Sequence, residues 1–361
     1  MHDILVNLGA RSYRILVAPG ALARVGEELA GLGVGSKVAL FSDPGILARH
    51  GRPVRQGLER AGFQVTVVEL PEGESAKTVE VAVRGWDALL DAGLDRGSTV
   101  VALGGGAVGD LAGFVAATYM RGINFVQLPT TVLAQVDASI GGKTAIDHPL
   151  GKNMIGAFHQ PRLVIIDPAV ARTLPEREFR SGLAEIVKHG IVLDAGYFAE
   201  LERDLVPLAA RDLPVLERII AGSCRLKASV IERDEREAEL RHVLNYGHTI
   251  GHALEASTGY ARYTHGEAVA LGIVAEARLA QRLGIADDAT TDRQQRMLET
   301  LGLPVRAPSI DVEPVVTAMA RDKKGKDGRV PFVLAPRIGE FRIVYDVSPA
   351  DIRAAIASLA S

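Results

Sequence analysis

The stretch VVALGGGAVGDLAGFVAATYM, Val100–Met120, decides the fold class. A β-rich run meets a glycine turn and then a helical period, so the segment reads strand, turn, helix. Gly104, Gly106 and Gly109 match G-x-G-x-x-G. Glycines there permit a tight turn and close backbone approach, and a helix N-terminus attracts a pyrophosphate. The usual fingerprint also places an acid about 20 residues on, at the end of the next strand, to hold a ribose. Here the next strand ends in PTT. Asp43, at an earlier strand end, takes that place in our reading, which makes this a nucleotide site of unusual arrangement.

Working outward, YRILVAP, KVALFSD, QVTVVEL, INFVQLP and RLVIIDP read as further strands, with helical periods such as TVEVAVRGWDALLDAGL between several of them. Such alternation predicts a Rossmann-like α/β domain, a parallel sheet with helices on both faces. Ligands then bind at the carboxyl ends of the strands, where Asp43, Glu74, Lys77, Thr130 and Thr131 also fall. Beyond about Pro168 long helical periods dominate: EREFRSGLAEIVKHGIVL, PVLERIIAGSCRLKASVIERDE and HGEAVALGIVAEARLAQRLG. RVPFVLAPRIGEFRIVYDV reads as a small terminal hairpin. The expected division is an NAD-type α/β domain over residues 1–168 and a mostly helical domain over 169–361.

The chain of 361 residues carries a net charge of −3, which gives no electrostatic footing for nucleic acid. Its one cysteine, Cys224, excludes an internal disulfide and a cysteine-built zinc cage, and fits a reducing compartment. No apolar run reaches the roughly 18 residues of a membrane span, and the N-terminus lacks a signal pattern. The expectation is a cytoplasmic protein without membrane or nucleic-acid partners. Two basic segments remain. ASIGGKTAIDHPLGKNMIGAFHQP reads as a loop in which Lys143, Lys152 and Asn153 suit an anion, and RDKKGKDG, 321–328, reads as a solvated turn.

LNYGHTIGHALEASTGYARYTHGEAVA, Leu244–Ala270, crowds three of the nine histidines together. A catalytic zinc site takes three N or O ligands and keeps one position open. His248 and His252 share a helix face, but Thr249 stands where the H-E-x-x-H proteases need their glutamate. Spacing permits 248 with 252, 248 with 265, or 252 with 265. Glu185, in the apolar run GLAEIVKHG, and Glu267 are both open as the third ligand.

At this point the residues resemble a known family. GGGAVGDLAGFVAATYMRGINFVQLPTTVLAQVDASIGGKTAIDHPLGKNMIGAFHQP, TLPEREFRSGLAEIVKHG, RHVLNYGHTIGHALE, YTHGEAVALG and RDKKGKDG are similar, in order and over nearly the whole chain, to 3-dehydroquinate synthase. The resemblance implies NAD and Zn2+ (or Co2+) as cofactors and a homodimer. It implies Glu185, His248 and His265 as metal ligands, with His252 facing the substrate. Lys143, Lys188, Lys227, Arg241, Asn245, Lys324, Asp137 and Asn153 match the family's substrate positions. Arg121 matches the arginine that reaches the neighbouring subunit's substrate phosphate. Glu74, Lys77, Gly105, Gly106, Asp110, Thr130, Thr131, Lys152 and Thr173 match NAD contacts. Asp147 departs from the asparagine common in the family's VNHP.

The reaction so implied turns 3-deoxy-D-arabino-heptulosonate 7-phosphate into 3-dehydroquinate and phosphate. Transient oxidation at C5 by NAD acidifies the C6 proton, phosphate leaves by β-elimination, the hydride returns, and an intramolecular aldol step closes the carbocycle. The alternatives are a relative that cyclises sedoheptulose 7-phosphate, a metal-dependent polyol dehydrogenase and a catalytically inert NAD-binding protein. Arg241, Lys227 and Lys324 together favour a carboxylated substrate.

Overall fold

A computed structural model describes residues 1–321 and 330–360. Lys324 and nearly all of the 321–328 turn therefore lie outside the described residues. The chain packs as two compact units: residues 1–174 with 216–235, and residues 175–215 with 236–361. The helix Leu213–Arg233 thus contributes most of its length to the first unit.

The first unit is built on a seven-stranded sheet. In chain order its strands are β1 (His2–Val6), β2 (Tyr13–Val17), β3 (Lys37–Ser42), β4 (Gln64–Glu69), β5 (Thr99–Gly104) and β6 (Asn124–Pro129). Then come β7 (Lys143–His148) and β8 (Gly151–Phe158), which stand apart, and β9 (Leu163–Ile166). The spatial order is β1-β2-β9-β6-β5-β3-β4, parallel except for β1, which runs antiparallel to β2. Successive side chains on a strand point to opposite faces. Val38, Leu40, Val101, Leu103, Val126 and Leu128 fall in one buried cluster; Ala39, Phe41, Val100, Ala102 and Phe125 fall in the other. Both faces are covered, which is why these strands read as unbroken apolar runs.

The chain steps outward from β3 to β4, then returns to the other side of β3 as β5 and continues to β6. The strand order therefore reverses between β3 and β5, and a crevice at such a switch point is where open α/β sheets bind ligands. Asp43 follows β3 there and Gly105 follows β5.

Two local readings differ. β1 is an edge strand missing from the sequence reading; its period-2 pattern has only Ile4 and Val6 buried. The segment read as a basic loop is the antiparallel hairpin β7–β8, with Lys143 opposite Phe158 and Ile146 opposite Ile155. Its glycines and lysines masked the alternation. At Gly156 a Cβ would sit 2.2 Å from the Thr144 carbonyl oxygen, so glycine there serves strand-to-strand approach.

The second unit is mostly helical, with helices Glu176–Leu193, His248–Ser257, His265–Arg282 and Asp288–Thr300. The terminal β-rich run forms β10 (Phe332–Leu334) paired antiparallel with β11 (Arg342–Val344). Among the described residues no helix is long and apolar enough to cross a membrane.

Candidate metal centre and nucleotide crevice

Three helices of the second unit converge through glycines. A Cβ at Gly266 would lie 1.8 Å from the Ser181 carbonyl oxygen, and one at Gly272 would lie 1.8 Å from that of Gly247. Only glycine allows backbones so close. The contacts bring the helix Glu176–Leu193 and the helix His248–Ser257 against the start and middle of His265–Arg282. His248 and His265 are each the first residue of their helix. The second of these starts on a capping box: Thr264 accepts from the Glu267 N–H and Glu267 accepts from the Thr264 N–H.

These helix starts aim two imidazoles at one carboxylate. Glu185 is fully buried, and its Oε1 lies 3.4 Å from His248 Nε2 and 3.6 Å from His265 Nε2. Its Oε2 pairs with the Lys188 ammonium one helical turn on, also buried. The Oε1 distances exceed the roughly 2.7–2.9 Å of a charge-assisted hydrogen bond. They match the spacing of about 3.3–3.4 Å that tetrahedral bonds of about 2.0–2.1 Å set between two ligands of one cation. Glu185 Oε1 is correspondingly buried with no hydrogen-bond partner.

The second ring nitrogens support the same use. His248 Nδ1 stands 3.1 Å from the Tyr246 carbonyl oxygen, and His265 Nδ1 stands 3.4 Å from Glu255 Oε2. An Nδ1–H donated to a carbonyl or carboxylate leaves the Nε2 lone pair for a metal. Burial and the Lys188 charge hold His248 well below the ordinary imidazole range, so it is neutral as a ligand must be. Burial works against charge on His265 too, but the neighbouring carboxylates of Glu185 and Glu255 push it up to about 10. Glu185, despite a burial that opposes ionisation, is held well below the usual carboxylate range by Lys188 and the two imidazoles. A cation would replace the proton on His265. The donor set, one buried carboxylate and two oriented imidazoles, fits a divalent ion.

His252 belongs to the same constellation. One ring nitrogen from each of His248, His252 and His265 lies within 4.8 Å of the others. The His248–His252 ring centroids are 5.1 Å apart, edge to face. Glu267 is turned elsewhere: it binds Arg177 through both oxygens at 2.7 and 2.6 Å and caps its own helix. Arg241 is buried in the short 3-10 turn Leu240–Asn245, and Asn245 Nδ2 donates to Glu237 Oε1 at 3.3 Å.

In the first unit the glycine turn opens the helix Gly106–Thr118. Gly104 and Gly109 serve packing: a Cβ at Gly104 would meet Val108 at 2.6 Å, and one at Gly109 would meet the Gln127 amide oxygen at 2.5 Å. Gly106 differs, because its nearest neighbour would be the Ala138 methyl at 3.4 Å. Asp43 Oδ1 accepts from the Ile46 N–H at 2.9 Å, which spends one oxygen on a local cap. Thr130 donates its N–H to the Gly104 carbonyl at 2.9 Å, and Thr131 Oγ1 accepts from the Ala134 N–H. Thr173 Oγ1 donates to the Val170 carbonyl at 2.8 Å.

Lys77 is buried at the centre of a polar knot. Its Nζ lies 2.8 Å from Asp110 Oδ2 and 3.5 Å from Glu74 Oε1, and it also bonds Asn153. Lys152 reaches Glu74 at 3.4 Å. Asp147 Oδ1 accepts the Asn153 N–H at 2.8 Å, which gives the residue that departs from the family pattern a structural task. Burial lifts Asp110 to about 6 although Lys77 pulls it down. Lys227, buried in the helix Leu213–Arg233, grips Asp137 through the carbonyl at 2.7 Å and Oδ1 at 2.5 Å. Lys143 opens β7, and Arg121 sits exposed in a left-handed bend with φ +69° beside Met120 at +48°.

Sequence reasoning overlooked Glu276, Tyr246 and Ser181. Glu276 did leave a signal, as the lone acid in the apolar run AVALGIVAEARLA.

Comparison with known proteins supplies the identity of this framework. Residues 67–181 match the family described as 3-dehydroquinate synthase N-terminal, and residues 182–325 match 3-dehydroquinate synthase C-terminal. A 3-dehydroquinate synthase of Geobacter metallireducens is 52% identical over 344 residues, 95% of this chain and 96% of its own length. That of Microcystis aeruginosa is 49% identical over 352 residues, 97% and 96% of the two chains. Among solved structures, a 2-epi-5-epi-valiolone synthase of Streptomyces hygroscopicus, with NAD+ and Zn2+ bound, superposes with a TM-score of 0.88 at 28% identity, covering 96% of each chain. A probable glycerol dehydrogenase of Sinorhizobium meliloti (TM-score 0.69, 18% identity, 96% of each chain) shares the fold. The chain belongs to the 3-dehydroquinate synthase family.

Proposed function

We propose that this chain converts 3-deoxy-D-arabino-heptulosonate 7-phosphate to 3-dehydroquinate and phosphate in the shikimate pathway to aromatic amino acids, using NAD and a divalent cation. The observation that carries the reading is the Glu185 carboxylate set between His248 Nε2 and His265 Nε2, each ring oriented from behind by Tyr246 or Glu255. We assign Glu185, His248 and His265 as the ligands of zinc or cobalt. Held by these three residues, such a cation would supply Lewis-acid polarisation of the substrate oxygens. Asp43, Glu74, Lys77, Gly104, Gly105, Gly106, Gly109, Asp110, Thr130, Thr131, Lys143, Lys152 and Thr173 would hold NAD, which would supply a reversible hydride acceptor.

The protein's own side chains do the rest. The substrate bears a phosphate and a carboxylate, so cations must neutralise it, which is the role we give Lys143, Lys188, Lys227, Arg241 and Lys324. Asp137 holds the Lys227 ammonium in place, and Asn153 does the same for Lys77. His252 and Asn245 orient the phosphate or pass a proton through water. The departing phosphate is itself a competent base for the C6 proton, so no dedicated carboxylate base is required. Charge cancellation by fixed groups, instead of by mobile water, also keeps the enol from side reactions before it cyclises.

We further propose a cytoplasmic homodimer in which Arg121 serves the neighbouring active site. The hairpin β7–β8 supports this, because Leu150, Met154, Ile155 and Phe158 are exposed on it.

The deciding assay offers the purified chain, NAD and zinc either sugar. Phosphate release from the heptulosonate phosphate without net NADH is the expected result. Release from sedoheptulose 7-phosphate alone would assign the chain to the other cyclases, and accumulating NADH would make it a polyol dehydrogenase.

A further inference from the structure

Glu276 lies on the helix His265–Arg282, about three turns beyond His265, and its side chain is fully buried. Its hydrogen-bond partners belong to another helix. Oε2 accepts the Gly247 N–H at 2.7 Å and Oε1 accepts the Ile250 N–H at 3.4 Å. Those amides open the helix His248–Ser257, and first-turn amides have no partner within their own helix. The residue at the cap position is Gly247, with φ +78° and no side chain to offer. Glu276 thus supplies from a neighbouring helix the cap that the local sequence omits.

The residue before Gly247 is also held. The Tyr246 hydroxyl donates to Gln294 Oε1 at 2.5 Å, and the Tyr246 carbonyl faces His248 Nδ1 at 3.1 Å. Gly272, one turn before Glu276, stands against the Gly247 carbonyl oxygen, so the two helices touch backbone to backbone there. His248 is the first residue of the helix whose start these groups define. The direction of its Nε2 therefore follows from where that helix begins. Burying a carboxyl is costly unless its hydrogen bonds are made, and an apolar side chain would fill the space without that cost.

We propose that Glu276 is a positioning residue of the metal centre: by capping the His248–Ser257 helix across the interhelical contact it aims His248 Nε2 at Glu185. The inference rests on His248 being a metal ligand. The test uses the full chain stripped of metal, with zinc affinity measured by competition with a chromophoric chelator and ligand geometry read from the Co2+ absorption spectrum. Glu276→Gln keeps the size but turns an NH2 toward a backbone N–H. We expect about 10-fold weaker zinc binding for Glu276→Gln and up to about 100-fold for Glu276→Ala. We also expect an altered Co2+ spectrum and, at saturating metal, an unchanged KM for the sugar phosphate. If the alanine variant does not fold, the glutamine variant carries the test alone. Wild-type zinc affinity and Co2+ spectrum in Glu276→Gln overturn the inference, whatever happens to thermal stability. His248→Ala is the parallel control: if it keeps wild-type zinc affinity, the ligand assignment itself falls and takes the inference with it.

Discussion

Glu185 Oε1 and His248 Nε2 face each other across 3.4 Å inside the second unit without a hydrogen bond between them, a separation suited to two ligands of one ion. The imidazole is held neutral by its burial, and the buried Oε1 beside it lacks a hydrogen-bond partner, a need that a bound cation would meet.

Replacing the proposed ligands and replacing their neighbour should therefore differ in kind. His248→Ala and His265→Ala are expected to lose tight zinc and activity together. His252→Ala should keep a full metal complement while kcat falls about 10²-fold or more, the scale of a lost proton-transfer or phosphate-orienting group. Metal analysis beside steady-state kinetics checks this. Metal lost from His252→Ala but retained by His265→Ala would reverse the assignment.

The polar knot around Lys77 makes a second prediction. Lys77→Ala strands Asp110 and Asp147 without their shared cation and leaves Glu74 only Lys152, and removing one partner of a buried pair typically costs about 3 kcal/mol. Urea unfolding should show that loss, and titration calorimetry should show weakened NAD binding. A variant of wild-type stability would mean that water already neutralises the knot.

Asp110 also sets a pH dependence. Its folded value is lifted from 3.8 to about 6, chiefly by burial, with Glu74 and Asp147 adding to the lift and Lys77 opposing it. Between about pH 4 and 6 the folded chain then holds a proton that the unfolded chain has released. Stability contributed by Asp110 is present below about pH 4 and is lost as pH rises to about 6. Asp110→Asn should flatten that part of the stability profile in NAD-free protein. An unchanged slope in the denaturation midpoint from pH 4 to 6 would refute the shift.

The helix contacts give a steric prediction. Gly272→Ala puts a methyl carbon 1.8 Å from the Gly247 carbonyl oxygen, which the backbones must separate to admit. We expect destabilisation of about 3 kcal/mol and weakened zinc binding, because the strain falls beside the His248 helix start. Gly33→Ala is a useful contrast: nothing lies within 4 Å, so only its φ of +65° is strained and the metal should be unaffected.

Finally, if β8 is part of a homodimer contact, Ile155→Lys should shift the light-scattering mass toward one chain. The monomer should bind zinc normally but have a raised KM for the sugar phosphate, because Arg121 is then withdrawn. A dimer that survives this change and a second one, Met154→Glu, would place the interface elsewhere.

Much of this was legible in the sequence. Strand–turn–helix at Val100–Met120, the six apolar strand runs and the long helices follow from local period and turn chemistry, and the structure places them at the same residues. Glu185 stood out as an acid in an apolar helical run, and the three histidines by their crowding. What stayed hidden depends on partners distant in sequence. The hairpin β7–β8 was obscured by glycines needed for its cross-strand contact, and β1 by alternation too short to read. The helix Leu213–Arg233 looks like any other helix of the second half until packing puts residues 216–235 with the first unit. Spacing left three histidine pairs open, because period along one helix says nothing of where another helix starts. The tertiary structure turned His248 and His265 toward Glu185 through backbone contacts at Gly266 and Gly272 and the cap from Glu276. Those contacts are single atoms meeting across helices, and they leave no period in the chain.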